Sequence, residues 1–168
     1  MVSTTGLTAA AVVNELRRCG VTDVVWLPDS ESGHLYACLR DDAALRLVPV
    51  CREGEAIAIA LGLMVGGRRP AVVMQNTGLF ESGDSLRGLG LNLGLPLLLL
   101  ISYRGYSGSL PPTDSAAVYL EPILRAWGLA YYLVESDADV GLIGTALAAA
   151  QAQQRPAVAL MAREYGAP

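Results

Sequence analysis

The stretch Val48-Pro49-Val50-Cys51-Arg52-Glu53-Gly54-Glu55-Ala56-Ile57-Ala58-Ile59-Ala60-Leu61-Gly62 reads as the end of a strand, a charged turn and a helix that is apolar all round. The helix is predicted over Glu53 to Val65, Gly66-Gly67 terminates it, and Ala71 to Gln75 follows as a strand, which completes a β-α-β unit. Outward from this unit the alternation repeats. Toward the N-terminus, Thr8 can cap a helix running to Arg18, with Gly20 beyond its end. Val21 to Leu27 is a strand ended by Pro28, a helix lies around Leu35 to Leu39, and Leu45 to Val50 is the next strand. Toward the C-terminus, a polar turn at Asn76-Thr77-Gly78 precedes a helix near Asp84 to Leu93. Leu97 to Ile101 is apolar on both faces and is expected in the middle of a sheet. After a loop over Ser102 to Thr113 come a helix near Ala116 to Trp127 and a strand over Leu129 to Val134. A helix capped by Ser136 and running to about Gln153 precedes a last strand over Ala157 to Met161. The predicted class is α/β: an open, doubly wound, parallel six-stranded sheet with helices on both faces. Ligands in that class bind beyond the carboxyl ends of the strands, which directs attention to segments 28–33, 51–55, 76–84 and 102–113.

At 168 residues the chain, 1–168, is expected to be a single domain. Its composition, 52% hydrophobic against 17% charged, excludes a disordered or fibrous chain, and the net charge of −4 argues against nucleic-acid binding. Three cysteines, Cys19, Cys38 and Cys51, form no C-x-x-C pair and share the chain with one histidine, His34, so no disulfide framework or metal site is expected in it. The start MVSTTGLTAA lacks the basic, then apolar, pattern of a signal peptide, and no window approaches the ~20 apolar residues of a membrane span. A cytoplasmic protein with no membrane association is the expectation. The glycines of Gly88 to Gly94 are misspaced for a dinucleotide fingerprint and precede a strand where the fingerprint follows one. Gly105-Tyr106-Ser107-Gly108 is one residue short of a nucleophile elbow, and no phosphate-binding loop occurs. Serine hydrolases and nucleotide triphosphatases are therefore not indicated.

A helix apolar on every side needs cover on every side, and one sheet covers one face. The other face is expected to pack against another chain, with Arg52, Glu53 and Glu55 drawn in at the seam. Read alone, both glutamates could simply favour a helix N-terminus through the macrodipole, at ~0.3–1 kcal/mol each. Together with other segments, however, the stretch resembles the pyrimidine-binding domain of thiamin-diphosphate enzymes. The similarity is narrowest to the family of 2-oxoacid decarboxylases that includes sulfopyruvate decarboxylase alpha subunits and phosphonopyruvate decarboxylase. It is carried by Leu27-Pro28-Asp29-Ser30, Val48 to Glu53, Met74-Gln75-Asn76-Thr77-Gly78-Leu79 and Ser102-Tyr103-Arg104-Gly105, in order and spacing over nearly the whole chain.

The resemblance implies a lyase: a thiamin-diphosphate-dependent 2-oxoacid decarboxylase subunit acting on a phosphonopyruvate- or sulfopyruvate-like acid. Glu53 matches the glutamate that hydrogen-bonds the cofactor's aminopyrimidine ring and favours the imino tautomer, whose nitrogen removes the thiazolium proton. Gln75, Asn76, Thr77 and Gly78 would line the pyrimidine pocket, although Gly78 could equally be a turn residue. Asp29 and Ser30 could face substrate or form an Asx or Ser turn before a helix. Arg104 could pair with a substrate anion or be a solvated loop residue, and His34 could face substrate or be a surface or packing residue. The chain lacks the Gly-Asp-Gly motif, with its later asparagine, that holds magnesium and diphosphate, because Asn92 is too near Gly83-Asp84-Ser85. Mg2+ and the diphosphate are then expected on a separate beta subunit, in a heteromer of α2β2 or larger, with this chain inactive alone. Loops Phe80 to Asp84 and Gly105 to Thr113 depart from the family pattern, and Glu81 and Asp84, if turned inward, would disfavour an anionic substrate. Two other outcomes share the pattern: a carboligase or acyl transferase using the same cofactor, and a non-catalytic assembly or regulatory subunit.

Overall fold

The computed structural model describes residues 6–29 and 32–166. Its elements follow the predicted alternation. Helix α1 (Ala9–Arg18) leads to β1 (Asp23–Trp26), α2 (Gly33–Arg40) to β2 (Arg46–Pro49), and α3 (Glu53–Val65) to β3 (Pro70–Gln75). The chain then enters α4 (Asn76–Glu81), α5 (Gly83–Ser85) and a π-helical segment, Leu86–Leu91, before β4 (Leu98–Ser102). Helix α6 (Ser115–Ala126), β5 (Ala130–Val134), a 3-10 turn (Asp137–Asp139), α7 (Gly141–Gln153) and β6 (Ala157–Met161) complete it.

All the strand pairings are parallel, in the order β2-β1-β3-β4-β6-β5. The chain moves outward from β1 to β2 and returns to the other side of β1 with β3, so the topological switch point lies between β1 and β3. Strands β1, β3, β4 and β6 are buried at every residue, and β4, the all-apolar run, lies inside the sheet as its sequence predicts. Alternate side chains feed two cores. Val24, Trp26, Ala71, Val73, Leu98 and Leu100 meet one face with α1, α2 and α7. Val25, Val72, Met74, Leu99 and Ile101 meet the other, with α3, α4 and α6.

Local chemistry agrees with these boundaries. The Thr8 hydroxyl caps α1 by accepting from Ala11 N at 3.2 Å, and Ser136 and Asp139 form a reciprocal capping box before α7. Pro122 lies inside α6, where the bond it cannot donate falls on a solvent-facing turn near half-exposed Val118. At the amino ends of the strands Asp23, wholly buried, takes Arg46 Nε at 2.5 Å and Arg68 Nε at 2.8 Å. Burial alone would raise its pKa, but the hydrogen bonds from Arg68, Thr22 and Arg46 hold the carboxyl below its ordinary range. That clamp ties β1, β2 and the turn into β3 together, which fixes the register of the strands flanking the switch point.

Asn76-Thr77-Gly78 is not a turn: α4 starts at Asn76 directly from the end of β3, and Gly78 is not among the glycines with positive φ. The local preference of Asn, Thr and Gly for turns yields to tertiary packing, because Gly78 and Leu79 are buried and Leu79 belongs to the α3-side core. The helix predicted near 84–93 is instead divided into α5 and the π-helical segment. No described helix is long and apolar enough to cross a membrane.

Candidate active site

Helix α3 runs back from the edge strand β2 across the sheet to pack on β3 and β1, so its first residue, Glu53, stands at the carboxyl ends of the strands. Arg52, its N-cap residue, supplies no side-chain cap. Two carboxylates fill that gap. Glu55 Oε2 accepts from Cys51 N at 3.2 Å, reaching back over the turn, and Glu81 Oε2, from α4, accepts from Gly54 N at 2.8 Å. Glu81 Oε1 also accepts from Arg52 Nε at 3.0 Å and is ion-paired with Arg52 Nη2. Glu53 is treated differently. It is half-buried, and among the described residues no hydrogen bond is donated to its carboxylate.

Gly78 explains how Glu53 is accommodated. A methyl group at position 78 would lie 2.5 Å from Glu53 Cγ, 2.6 Å from its Oε1 and 2.9 Å from its Cδ. The glycine is there neither for a turn nor for an unusual φ, but because the glutamate side chain lies against its backbone. Cys51, Arg52, Gly54, Glu55, Glu81, Asp84 and Ser85 line an open cavity of about 660 Å3 beside this helix end.

The other predicted residues cluster at the ends of β3 and β4. Gln75 Oε1 accepts from Thr77 Oγ1 at 3.0 Å and from Arg104 Nη1 at 3.5 Å, and Asn76, fully buried, donates Nδ2 to the Arg104 carbonyl at 2.9 Å. Arg104 is exposed and its Nε also lies 3.2 Å from Asp114, the N-cap of α6, so the loop from β4 is fastened at both ends. Tyr103 and Tyr106 stack with centroids 4.9 Å apart, and the Tyr103 hydroxyl donates to Glu121 at 3.1 Å. Burial, and then the Glu121 charge, push the Tyr103 phenol upward. Arg104 and Arg163 line a smaller cavity of about 210 Å3 with Tyr103, Tyr106 and Glu164.

Asp29 lies in the segment that follows β1 and accepts from Ser32 N at 3.0 Å, the Asx-type turn open to it from sequence. Ser30 lies outside the described residues. His34 is exposed in the first turn of α2, away from the Glu53–Gly78 contact in the chain. Among the described residues no group of three or more His, Cys, Asp and Glu is arranged to hold a metal ion.

The acidic loop is less hostile to anions than its sequence implies. Glu81 is paired with Arg52, which together with the Gly54 amide holds its carboxyl below the usual range, and Asp84 is paired with Arg87 at 2.6 Å. Sequence reasoning missed the role of Glu81. Gly78 and Glu81 are spaced i, i+3, and reading 76–81 as a helix would have put them on one face.

The geometry can be set beside known proteins. Residues 7–105 match the family described as "Thiamine pyrophosphate enzyme, N-terminal TPP binding domain". The sulfopyruvate decarboxylase subunit alpha of Methanococcus maripaludis is 35% identical over 95 residues, covering 56% of this chain and 57% of that protein. The phosphonopyruvate decarboxylase of Streptomyces viridochromogenes is 34% identical over 100 residues, 60% of this chain and 25% of that one. The chain thus matches little more than half the length of the first relative and a quarter of the second. Among solved structures, benzoylformate decarboxylase from Polynucleobacter necessarius superposes with a TM-score of 0.71 over 92% of this chain and 29% of that one, at 20% identity, a likeness of fold.

Proposed function

We propose, from the premise that the chain belongs to the thiamine pyrophosphate enzymes and carries their N-terminal TPP binding domain, that it is the pyrimidine-binding alpha subunit of a split 2-oxoacid decarboxylase. The observation that carries this reading is the Glu53 carboxylate, half-buried at a helix N-terminus, laid against Gly78 and given no donor by the described residues. An acceptor held without a partner suits a ring that brings its own N–H or protonated nitrogen. When bound, thiamin diphosphate supplies the electron sink for the carbon that loses carbon dioxide. Glu53 would accept a hydrogen bond from the pyrimidine ring at its carboxylate and orient that ring, while Gln75, Asn76, Thr77 and Gly78 would form the wall at the end of β3. Arg104, kept in place by Asp114 and Gln75, offers its guanidinium to the anionic end of a 2-oxoacid such as sulfopyruvate or phosphonopyruvate. Asp29, Ser30 and His34 stand as substrate-side candidates after β1.

Diphosphate and Mg2+ are assigned to a partner beta subunit, in a cytoplasmic α2β2 or larger heteromer. Helix α3 supports a partner. The face formed by Ala58, Gly62 and Val65 is exposed, Val65 by 82%, although this helix has an almost wholly apolar sequence. Gly62 is the sharper point: a methyl group there meets nothing within 4 Å, so nothing in the described chain requires a glycine in mid-helix. An exposed interior glycine costs about 1 kcal/mol relative to alanine, and close approach of another chain would account for it. Gly62→Ala is therefore expected to raise the melting temperature of the isolated chain by a few degrees while weakening assembly, as read by analytical ultracentrifugation. A variant that both melts higher and assembles normally would contradict the interface reading.

The function itself is tested on the complex isolated through an affinity tag on this chain. With thiamin diphosphate, magnesium chloride and sulfopyruvate, phosphonopyruvate or pyruvate as probes, carbon dioxide release is expected from the complex and not from the chain alone. Robust release by the lone chain, or none from a complex that binds the cofactor, counts against the proposal.

A further inference from the structure

We infer that Glu81 is a positioning residue for Glu53: from α4 it grips the backbone and side chain on either side of that glutamate and sets the direction in which its carboxylate points. The inference deepens the proposed function and rests on it. Helix α3 begins without a cap of its own, since Arg52 contributes none. The Glu81 carboxylate supplies it from another helix, and it does so with both oxygens. Oε2 takes the Gly54 amide at 2.8 Å, one residue after Glu53, and Oε1 takes Arg52, one residue before, through Nε at 3.0 Å and through Nη2. Glu53 is the residue between these two anchor points.

Helix α4 makes a third contact in register. Gly78, one turn before Glu81, is the surface against which the Glu53 side chain lies, with Cγ 2.5 Å from where a methyl group would be. Gly54 lets the helices close: a methyl group on it would stand 3.1 Å from Ser85 Oγ and 3.4 Å from Glu81 Oε2. Anchoring of the Arg52 side chain before Glu53 and of the Gly54 amide after it, with a flat surface beside it, leaves the Glu53 side chain little choice of direction. Arg52 and the Gly54 amide hold the Glu81 carboxyl below its ordinary pKa, so the grip is complete at neutral pH. Glu81 lies outside the reacting atoms, and its effect passes through Glu53. The same carboxylate also pairs with Arg52, whose guanidinium otherwise feels Glu53 as well.

The test uses Glu81→Ala and Glu81→Gln in the tagged complex, with sulfopyruvate as substrate. Glu81→Ala is expected to lower kcat by about tenfold or more, with KM for sulfopyruvate within twofold of wild type. Glu81→Gln keeps an acceptor for the Gly54 amide and is expected to recover most of the loss. In the isolated chain, amide hydrogen exchange at Gly54 should quicken at least tenfold in Glu81→Ala and much less in Glu81→Gln, with the melting temperature lowered by no more than a few degrees, the scale of a lost helix cap. Wild-type kcat in Glu81→Ala, or equal losses in both variants with Gly54 exchange unaltered, overturns the inference. Failure of the wild-type complex to bind thiamin diphosphate overturns the functional reading instead, and the positioning role falls with it.

Discussion

Glu53→Gln in the assembled complex is expected to reduce turnover by roughly 10²-fold or more, the scale on which a well-placed proton-handling side chain acts. The amide preserves size and one acceptor oxygen, so the cavity and the Gly78 contact are retained, while the ability to hold a proton is removed. Thiamin diphosphate binding, followed by titration calorimetry, should weaken far less than turnover does. Glu55→Gln is the internal comparison. Glu55 sits two residues on in the same helix turn, but its carboxylate reaches back to the Cys51 amide, so its loss should cost only a few tenths of a kcal/mol of stability and little activity. Two carboxylates with the same helix-dipole environment are thereby separated by function. Turnover of Glu53→Gln within threefold of wild type would sink the catalytic assignment and favour an assembly or regulatory subunit.

Gly78→Ala is the second large effect, and its interest is that local preference and site geometry pull in opposite directions. Alanine in place of glycine in a helix is favourable by about 1 kcal/mol, and Gly78 has no positive φ that alanine would resist. The added methyl, however, would come within 2.5–2.9 Å of Glu53 Cγ, Oε1 and Cδ, so either that side chain swings away or α4 moves. The expected outcome is an isolated chain that melts near the wild-type temperature and a complex that turns over at least tenfold more slowly. In a Glu53→Gln background the same substitution should add little, because both changes act through one side chain. A Gly78→Ala complex with full activity, or additive losses in the double variant, would show that the Glu53–Gly78 contact is incidental.

Glu53 and Gly78 differ in how far local sequence sets their role. The position of Glu53 at the start of α3 follows from the change between a strand pattern and an apolar helical run, and the α/β alternation around it follows from the same periodicity. Gly78 was visible as a residue of interest, but its reason was not. As part of Asn-Thr-Gly it carries a turn signal, and the signal is overridden because Leu79 is drawn into the core between α3 and the sheet. Glu81 read as an unfavourable charge because its partners, Arg52 and the Gly54 amide, are 29 and 27 positions away along the chain. For Arg104 the sequence left open a substrate anion or a solvated loop position, and its contacts to Asp114 and Gln75 across the loop and the sheet are visible only in the fold.

Read by itself, the amino-acid order determined the kind and succession of the elements, the inner place of β4, the start of α3 and the resemblance that suggests a cofactor. These are set by periodicity, caps and short motifs, which act over a few residues. Only the tertiary structure decided the strand order, the switch point between β1 and β3, and which of three glutamates near α3 is left without a donor. The physical reason is that a carboxylate's role depends on what reaches it in space: the Cys51 amide satisfies Glu55, Arg52 and the Gly54 amide satisfy Glu81, and the bare backbone of Gly78 makes room for Glu53.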